Sequence, residues 1–200
     1  MLAAHPDTDV IVADDGLQHY RLARDFEIAV IDAARGLGNG WRLPAGPLRE
    51  AKRRLDSVDA VVVLVAADTP SPAFAPNAWR MTLEGRTFVR VADRAQSQPA
   101  AVFGGAGVHA VAGIGNPERF FAHLRSLGIA ATTHAFADHH RYARSDLGLP
   151  DARAILMTEK DAVKCEAFAD ERCWYLPVRA HVDAALVSRV VEALRGSEAA

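Results

Sequence analysis

Three short apolar runs, each closed by an aspartate, constrain the fold of this chain more than any other feature. Val10-Ile11-Val12-Ala13 stops at Asp14-Asp15-Gly16, Ile28-Ala29-Val30-Ile31 stops at Asp32, and Ala60-Val61-Val62-Val63-Leu64-Val65 stops near Asp68. Runs this short, rich in β-branched residues and without polar alternation, predict strands buried on both faces of a parallel sheet. In open parallel sheets ligands gather at the carboxyl ends of the strands, which is where these acids stand. The 200 residues are half hydrophobic and 24% charged, enough for a packed core in one large domain or two small ones. No run approaches the roughly 18 apolar residues of a membrane-spanning helix. A formal net charge of −2 argues against a duplex nucleic-acid partner, which calls for a basic excess. Two cysteines, Cys165 and Cys173, make no disulfide scaffold, and the first residues carry no secretory signal core. A cytosolic α/β chain is the expectation.

Between the second and third runs lies a glycine- and proline-rich loop, Gly36 to Pro47, of a length that points to function or mobility. A helix is expected from Leu48 to about Ser57. Three prolines in residues 69–78 mark a boundary. Arg80 to Leu83 and Thr87 to Val91 flank Glu84-Gly85-Arg86 and predict a hairpin, with residues 93–101 as linker. A second α/β unit is expected to open with a strand at Val108 to Val111. Asn116 and Pro117 then start a helix that Gly128 ends. Ile155-Leu156-Met157 is another strand, and Thr158 with Asp161 forms a capping-box pattern over a helix to about Phe168. Trp174 to Val178 is a strand. Leu186, Val187, Val190, Val191 and Leu194 line a last helix closed by Gly196. The expected division is 1–75 and 101–200, with 76–100 as a β-ribbon between them.

Four segments carry residues suited to chemistry. A strand-end acid pair such as Asp14-Asp15 offers hard oxygen ligands for Mg²⁺, although such acids also cap turns. Arg42, Arg49 and Glu50 stand by the long loop, where arginines clamp phosphate oxygens or simply face water. Asp138-His139-His140 is suited to proton transfer with the histidine oriented by the acid, or to a plain surface loop. Gly113-Ile114-Gly115 lacks the third glycine of a dinucleotide fingerprint and reads as a tight strand-to-helix turn. Cys165 and Cys173 read as core and bystander, and Lys160 and Lys164 as a solvated helix face.

Five stretches in order resemble tetraacyldisaccharide 4′-kinase, the lipid A kinase family of Gram-negative bacteria. They are Asp14-Asp15-Gly16-Leu17-Gln18-His19, Leu43-Pro44-Ala45-Gly46-Pro47-Leu48-Arg49-Glu50 and Ala112-Gly113-Ile114-Gly115-Asn116-Pro117 with Phe120-Phe121. Phe136-Ala137-Asp138-His139-His140 follows, then Thr158 to Cys165 with Trp174-Tyr175-Leu176-Pro177-Val178. The resemblance implies ATP- and Mg²⁺-dependent phosphorylation of the 4′-hydroxyl of a tetraacyldisaccharide 1-phosphate at the cytoplasmic face of the inner membrane, as a peripheral membrane contact. It implies a parallel-sheet remnant of a P-loop kinase domain joined by a β-ribbon to a smaller Rossmann-like α/β domain. It places Asp14 and Asp15 at Mg²⁺, with Asp15 also catalytic, and Gln18, His19, Arg49 and Glu50 toward the nucleotide. His139 would assist a catalytic aspartate, with His140 in reserve.

The family's P-loop pattern, Gly-x-x-x-x-Gly-Lys-[Ser/Thr], occurs nowhere in these 200 residues. Nor do the family's amino-terminal membrane-anchoring helix and the segment with its catalytic aspartate, so the resemblance covers roughly the carboxyl-terminal three-fifths of a member. Loop amides and lysine hold the β- and γ-phosphates in such enzymes. One preorganised donor alone is worth about 2.7–4 kcal/mol elsewhere. The expectation is a kinase family member whose 200 residues alone are nearly inactive. The same loss predicts poor stability for residues 1–75 alone. Two other classes stay open: a non-catalytic α/β binding module, and a metal-dependent hydrolase using Asp14, Asp15, His19 and His139.

Overall fold

The computed structural model describes residue 5 and residues 7–66 and 72–197. Asp68 and the first part of the 69–78 boundary lie outside the described residues. The chain forms two compact units, one of Met1–Thr82 with His181–Ala200 and the other of Leu83–Ala180.

The first unit holds β1 (Ile28–Asp32), β2 (Ala60–Leu64) and β3 (Trp79–Glu84). β1 and β2 run parallel from Ile28↔Ala60 to Asp32↔Leu64, and β2 and β3 run parallel from Val62↔Trp79. The β-branched runs at 28–31 and 60–64 thus form the strands expected of them. Val10 to Ala13 does not: it is irregular, and Val10, Ile11 and Val12 are 51%, 55% and 89% exposed. An apolar run becomes a strand only against a partner's ladder, and among the described residues β1 is an edge of the sheet. The helix expected over 48–57 shrinks to a 3-10 turn at Lys52–Asp56.

The second unit opens with β4 (Thr87–Arg90) and β5 (Ser97–Pro99), then β6 (Val108–Ala112), α1 (Pro117–Ser126) and β7 (Thr132–Ala135). It continues through β8 (Ala154–Thr158), α2 (Glu159–Cys165) and β9 (Cys173–Leu176). The expected hairpin at 80–91 is absent, because β3 pairs with β2 while β4 pairs with β5 and β9. Glu84-Gly85-Arg86 is no turn. A Cβ on Gly85 would lie 2.6 Å from the Pro177 carbonyl oxygen, so glycine is needed here for close backbone approach. Residues 93–101, expected as linker, contribute β5 and the start of a 3-10 turn at Ala100–Phe103.

The sheet order is β5-β4-β9-β8-β6-β7, and β7, β6, β8 and β9 are mutually parallel. β6 and β9 are buried at every residue, as is β8 up to Thr158. Phe88, Leu124 and Leu156 pack on one side of the sheet and Ile155, Met157 and Cys165 on the other. The strand order reverses between β6 and β8, the switch point where a doubly wound sheet opens a crevice at its carboxyl edge. Gly113 and the segment 136–142 follow the ends of β6 and β7, and Thr158 is the last residue of β8.

The chain returns to the first unit through β10 (Arg179–Val182), which neighbours β3, and ends in α3 (Ala184–Ser197). Leu186 is buried with Ala60 and Val62, and Val190 packs beside them. This packing places 181–197 with the amino-terminal residues rather than with the expected 101–200 domain. The apolar face of α3 is also narrower than its sequence suggests, since Val187 and Val191 remain 53% and 40% exposed. No described helix is long and apolar enough to cross a membrane.

Candidate active site

The acidic motif folds as consecutive turns. Asp15 takes the left-handed conformation (φ 52°), the His19 N–H donates to Gly16 O at 2.9 Å, and the Leu22 N–H donates to His19 O at 2.9 Å. Left-handed backbone is uncommon outside glycine, and aspartate is among the residues that tolerate it. One side chain organises these turns. Arg24 donates to the carbonyls of Gly16 and Leu17 at 3.2 Å, His19 at 3.3 Å and Leu22 at 3.1 Å, and pairs with Glu27 at 2.7 Å.

The glycine-proline loop folds back on itself. Leu43 N–H donates to Leu48 O at 2.9 Å, Leu48 N–H to Trp41 O at 3.1 Å, and Gly46 N–H to Arg42 O at 3.0 Å. The closed loop delivers Arg49 and Glu50 to the acidic motif. Arg49 Nη1 meets both Asp15 carboxylate oxygens at 3.0 and 2.8 Å and Gln18 Oε1 at 3.4 Å. Gln18 Nε2 donates to Glu50 Oε1 at 2.9 Å, and the Tyr20 hydroxyl to Glu50 Oε2 at 2.6 Å. Arg54 approaches Glu50 at 3.4 Å and Glu27 at 2.8 Å.

The electrostatics follow from these contacts. The Tyr20 hydroxyl holds Glu50 below the usual carboxylate range against the cost of burial, and Gln18, Arg54 and Arg24 add to it. Tyr20 is pushed up by the same bond. The Asp15 carboxylate raises Arg49. Asp15, Gln18, Arg49 and Glu50 are therefore brought together as one charged network, about 30 residues apart in sequence. Asp14 is exposed beside them, and His19 joins through its backbone. Asp32, the acid that ends β1, accepts the Ala34 N–H at 2.9 Å, as a turn-capping acid does.

Tyr20, Arg24, Glu27 and Arg54 belong to the same network and escaped the sequence reading. Their only signal is a density of charge around the motif, which solvated surface also shows.

In the second unit, His139 is left-handed (φ 61°) and 77% exposed, with Nε2 3.8 Å from Asp138 Oδ2. Asp138 accepts the His139 N–H at 3.0 Å and faces Lys160 Nζ at 3.5 Å. Its carboxyl sits below the usual range: the charges of His139 and Lys160 and the His139 N–H outweigh a desolvation that acts upward. His140 stacks on Phe136 (4.5 Å between centroids) and meets Asp146 Oδ2 at 3.0 Å. It is a structural partner here. Lys164, expected on a solvated face, instead turns inward to a fully buried Asp161. Both cysteines are buried free thiols, pushed up to about 12 (Cys165) and about 11 (Cys173) chiefly by burial.

Among the described residues no group of three or more His, Cys, Asp and Glu is placed to hold a metal ion. Mg²⁺ asks for less: one or two carboxylates, with water and nucleotide phosphates completing its shell. The exposed, adjacent, all-oxygen pair Asp14 and Asp15 fits that requirement.

An acidic turn motif is joined to an arginine-bearing loop through Asp15, Gln18, Arg49 and Glu50, in a unit built on a parallel sheet. The family model for LpxK, tetraacyldisaccharide-1-P 4′-kinase, matches residues 1–195, and the chain belongs to that family. It is 49% identical over 201 residues to the tetraacyldisaccharide 4′-kinase of Dechloromonas aromatica, covering all of this chain and 60% of that protein. It is 52% identical over 173 residues to that of Azotobacter vinelandii, covering 86% of this chain and 50% of that one. Among solved structures it resembles the "apo" form of LpxK from Aquifex aeolicus in complex with ATP (TM-score 0.65, 23% identity, 90% of this chain and 55% of that one). That likeness establishes a mixed α/β fold with parallel sheets. The chain spans about three-fifths or less of the length of these relatives.

Proposed function

We propose that this chain serves lipid A biosynthesis, in the transfer of the ATP γ-phosphoryl group to the 4′-hydroxyl of a tetraacyldisaccharide 1-phosphate. The observation that carries this reading is the joining of the acidic motif to the glycine-proline loop through Asp15, Arg49, Gln18 and Glu50, in a chain that matches the kinase family over residues 1–195. Asp14 and Asp15 would hold Mg²⁺, which when bound neutralises charge between the β- and γ-phosphates. Arg49 leaves Asp15 to meet phosphate oxygens, and Gln18 and His19 line the nucleotide side. Glu50, kept ionised by Tyr20, holds Gln18 in place as an acceptor. His139, with Asp138 beside it, assists removal of the proton from the acceptor hydroxyl by way of a catalytic carboxylate. The work is done at the cytoplasmic face of the inner membrane, by peripheral contact. The kinase and Rossmann-like parts are joined through residues 76–100, the segment that carries β3 and β4.

No P-loop pattern occurs in these 200 residues, so by themselves they turn over little substrate. The test fuses them to the P-loop segment of the Dechloromonas aromatica kinase and follows phosphate transfer to tetraacyldisaccharide 1-phosphate. Transfer should appear with ATP and Mg²⁺. Asp15→Asn or His139→Ala should then lower it by about two orders of magnitude or more, the scale seen when one preorganised group is removed. Full turnover in both variants would overturn the assignment.

A further inference from the structure

Asp161, in the first turn of α2, is fully buried. Its Oδ2 accepts the Gly113 N–H at 3.0 Å and the Thr158 hydroxyl at 2.7 Å, and its Oδ1 accepts from Lys164 Nζ at 3.0 Å. Lys164 Nζ also donates to Gly113 O at 3.3 Å. The acid and the lysine therefore grip both polar groups of one residue, at the carboxyl end of β6.

Gly113 in turn leaves no space on its other side. A Cβ there would stand 3.0 Å from the Tyr142 hydroxyl oxygen, 3.2 Å from His140 Cβ and 3.4 Å from Ala137 O. All three belong to the segment that carries His139. Lys164 Nζ lies 5.6 Å from the Tyr142 ring centroid, against the same segment. Lys160, one turn earlier on α2, reaches Asp138 from the flank. A buried ion pair is weak support for stability, and its best-attested use is to fix one geometry among several. A left-handed His139 needs surroundings that over-determine it.

We infer that Asp161 and Lys164 are positioning residues for His139, acting through Gly113 on the turn 137–142. The placement is read from contacts within the second unit. Its catalytic meaning rests on the role proposed for His139.

The test compares the 200-residue chain with two variants. Asp161→Asn/Lys164→Met removes both charges together, so neither is left buried and unpaired. Gly113→Ala keeps the pair and presses on the turn directly. In a ¹⁵N-labelled chain, both variants should shift the amide signals of 137–142, and those amides should exchange with solvent at least about tenfold faster while the melt stays cooperative. The two variants should perturb the same residues. Unchanged 137–142 signals in a folded variant of either kind would overturn the inference, and Gly113→Ala supplies that answer if the double variant does not fold.

In the P-loop fusion, the double variant should lower kcat with little change in KM for ATP, and Lys164→Arg should restore part of it. If His139→Ala keeps full turnover, the reading of His139 fails and the amide signals still decide the positioning. If His139→Ala is inactive but the double variant keeps full kcat, the positioning fails alone.

Discussion

The two units solve the same problem, a short parallel sheet, with different degrees of closure. In the second unit β6 is buried at all five residues, and its neighbours β7 and β8 pair along both its edges. In the first, β1 has one buried residue of five, Val30 is 61% exposed, Val10 to Val12 are exposed, and among the described residues β1 is an edge of the sheet. The composition of the strands is alike, so the difference comes from neighbours. Apolar surface is removed from water only where a second layer covers it. The acidic network occupies the less closed unit, and the His139 segment is braced on the closed one.

The largest test of this contrast is core truncation. Leu156→Ala in β8 removes a fully buried side chain and should cost about 2–5 kcal/mol in denaturant unfolding, read through the buried Trp174. Val30→Ala in β1 removes an exposed one and should stay within about 0.5 kcal/mol. Equal costs would show that β1 is covered in solution by something the sheet of the first unit does not supply.

A smaller, pH-dependent effect belongs to the second unit alone. His134 on β7 meets His109 at 2.9 Å between ring nitrogens, and its pKa is lowered, first by burial, then by His109, with Asp151 acting the other way. The folded state therefore holds fewer protons on this ring than the unfolded chain, whose value is 6.5. Stability from this source is complete above 6.5 and declines as pH falls from there to the depressed folded value. His134→Gln should flatten the stability–pH curve in that window and leave it unchanged above pH 7. A curve with the same slope below 6.5 in the variant would assign the effect elsewhere.

The closed unit was also the more legible in sequence. β6, β8, α1 and α2 announce themselves because hydrophobic pattern, Asn116-Pro117 and the Thr158–Asp161 cap all agree with burial; the Asp161 N–H does donate to Thr158 Oγ1. β7 and β10 escaped because Thr-Thr-His-Ala and Arg-Ala-His-Val carry no apolar run, their pairing being supplied by neighbours. Val10 to Ala13 misled for the converse reason, an apolar run without a ladder. At the site, Asp15, Arg49 and Glu50 stand out by residue chemistry and Gln18 and His19 by resemblance, while Arg24 and Arg54 sit in no motif. Arg24 binds backbone carbonyls two to eight residues away, and Arg54 reaches Glu27 across 27 residues. Asp161 and Lys164 were visible only as a cap and a surface charge.

The smallest expected effect on stability comes from the acidic network and separates its purpose from that of the core. The Arg49–Asp15 pair is more than half exposed at both side chains. Exposed pairs contribute little, because solvent screens the attraction and ordering two side chains opposes it. Arg49→Ala should therefore leave the unfolding midpoint unchanged. If the guanidinium exchanges Asp15 for phosphate oxygens, the same substitution should weaken ATP binding by the P-loop fusion by about tenfold or more, the scale of a charge-assisted hydrogen bond. Arg49→Lys should recover only part of that loss, since a point charge does not reproduce a planar fork. A destabilised variant with unaltered ATP affinity would reverse the contrast and make the pair a structural clasp between the acidic motif and the loop.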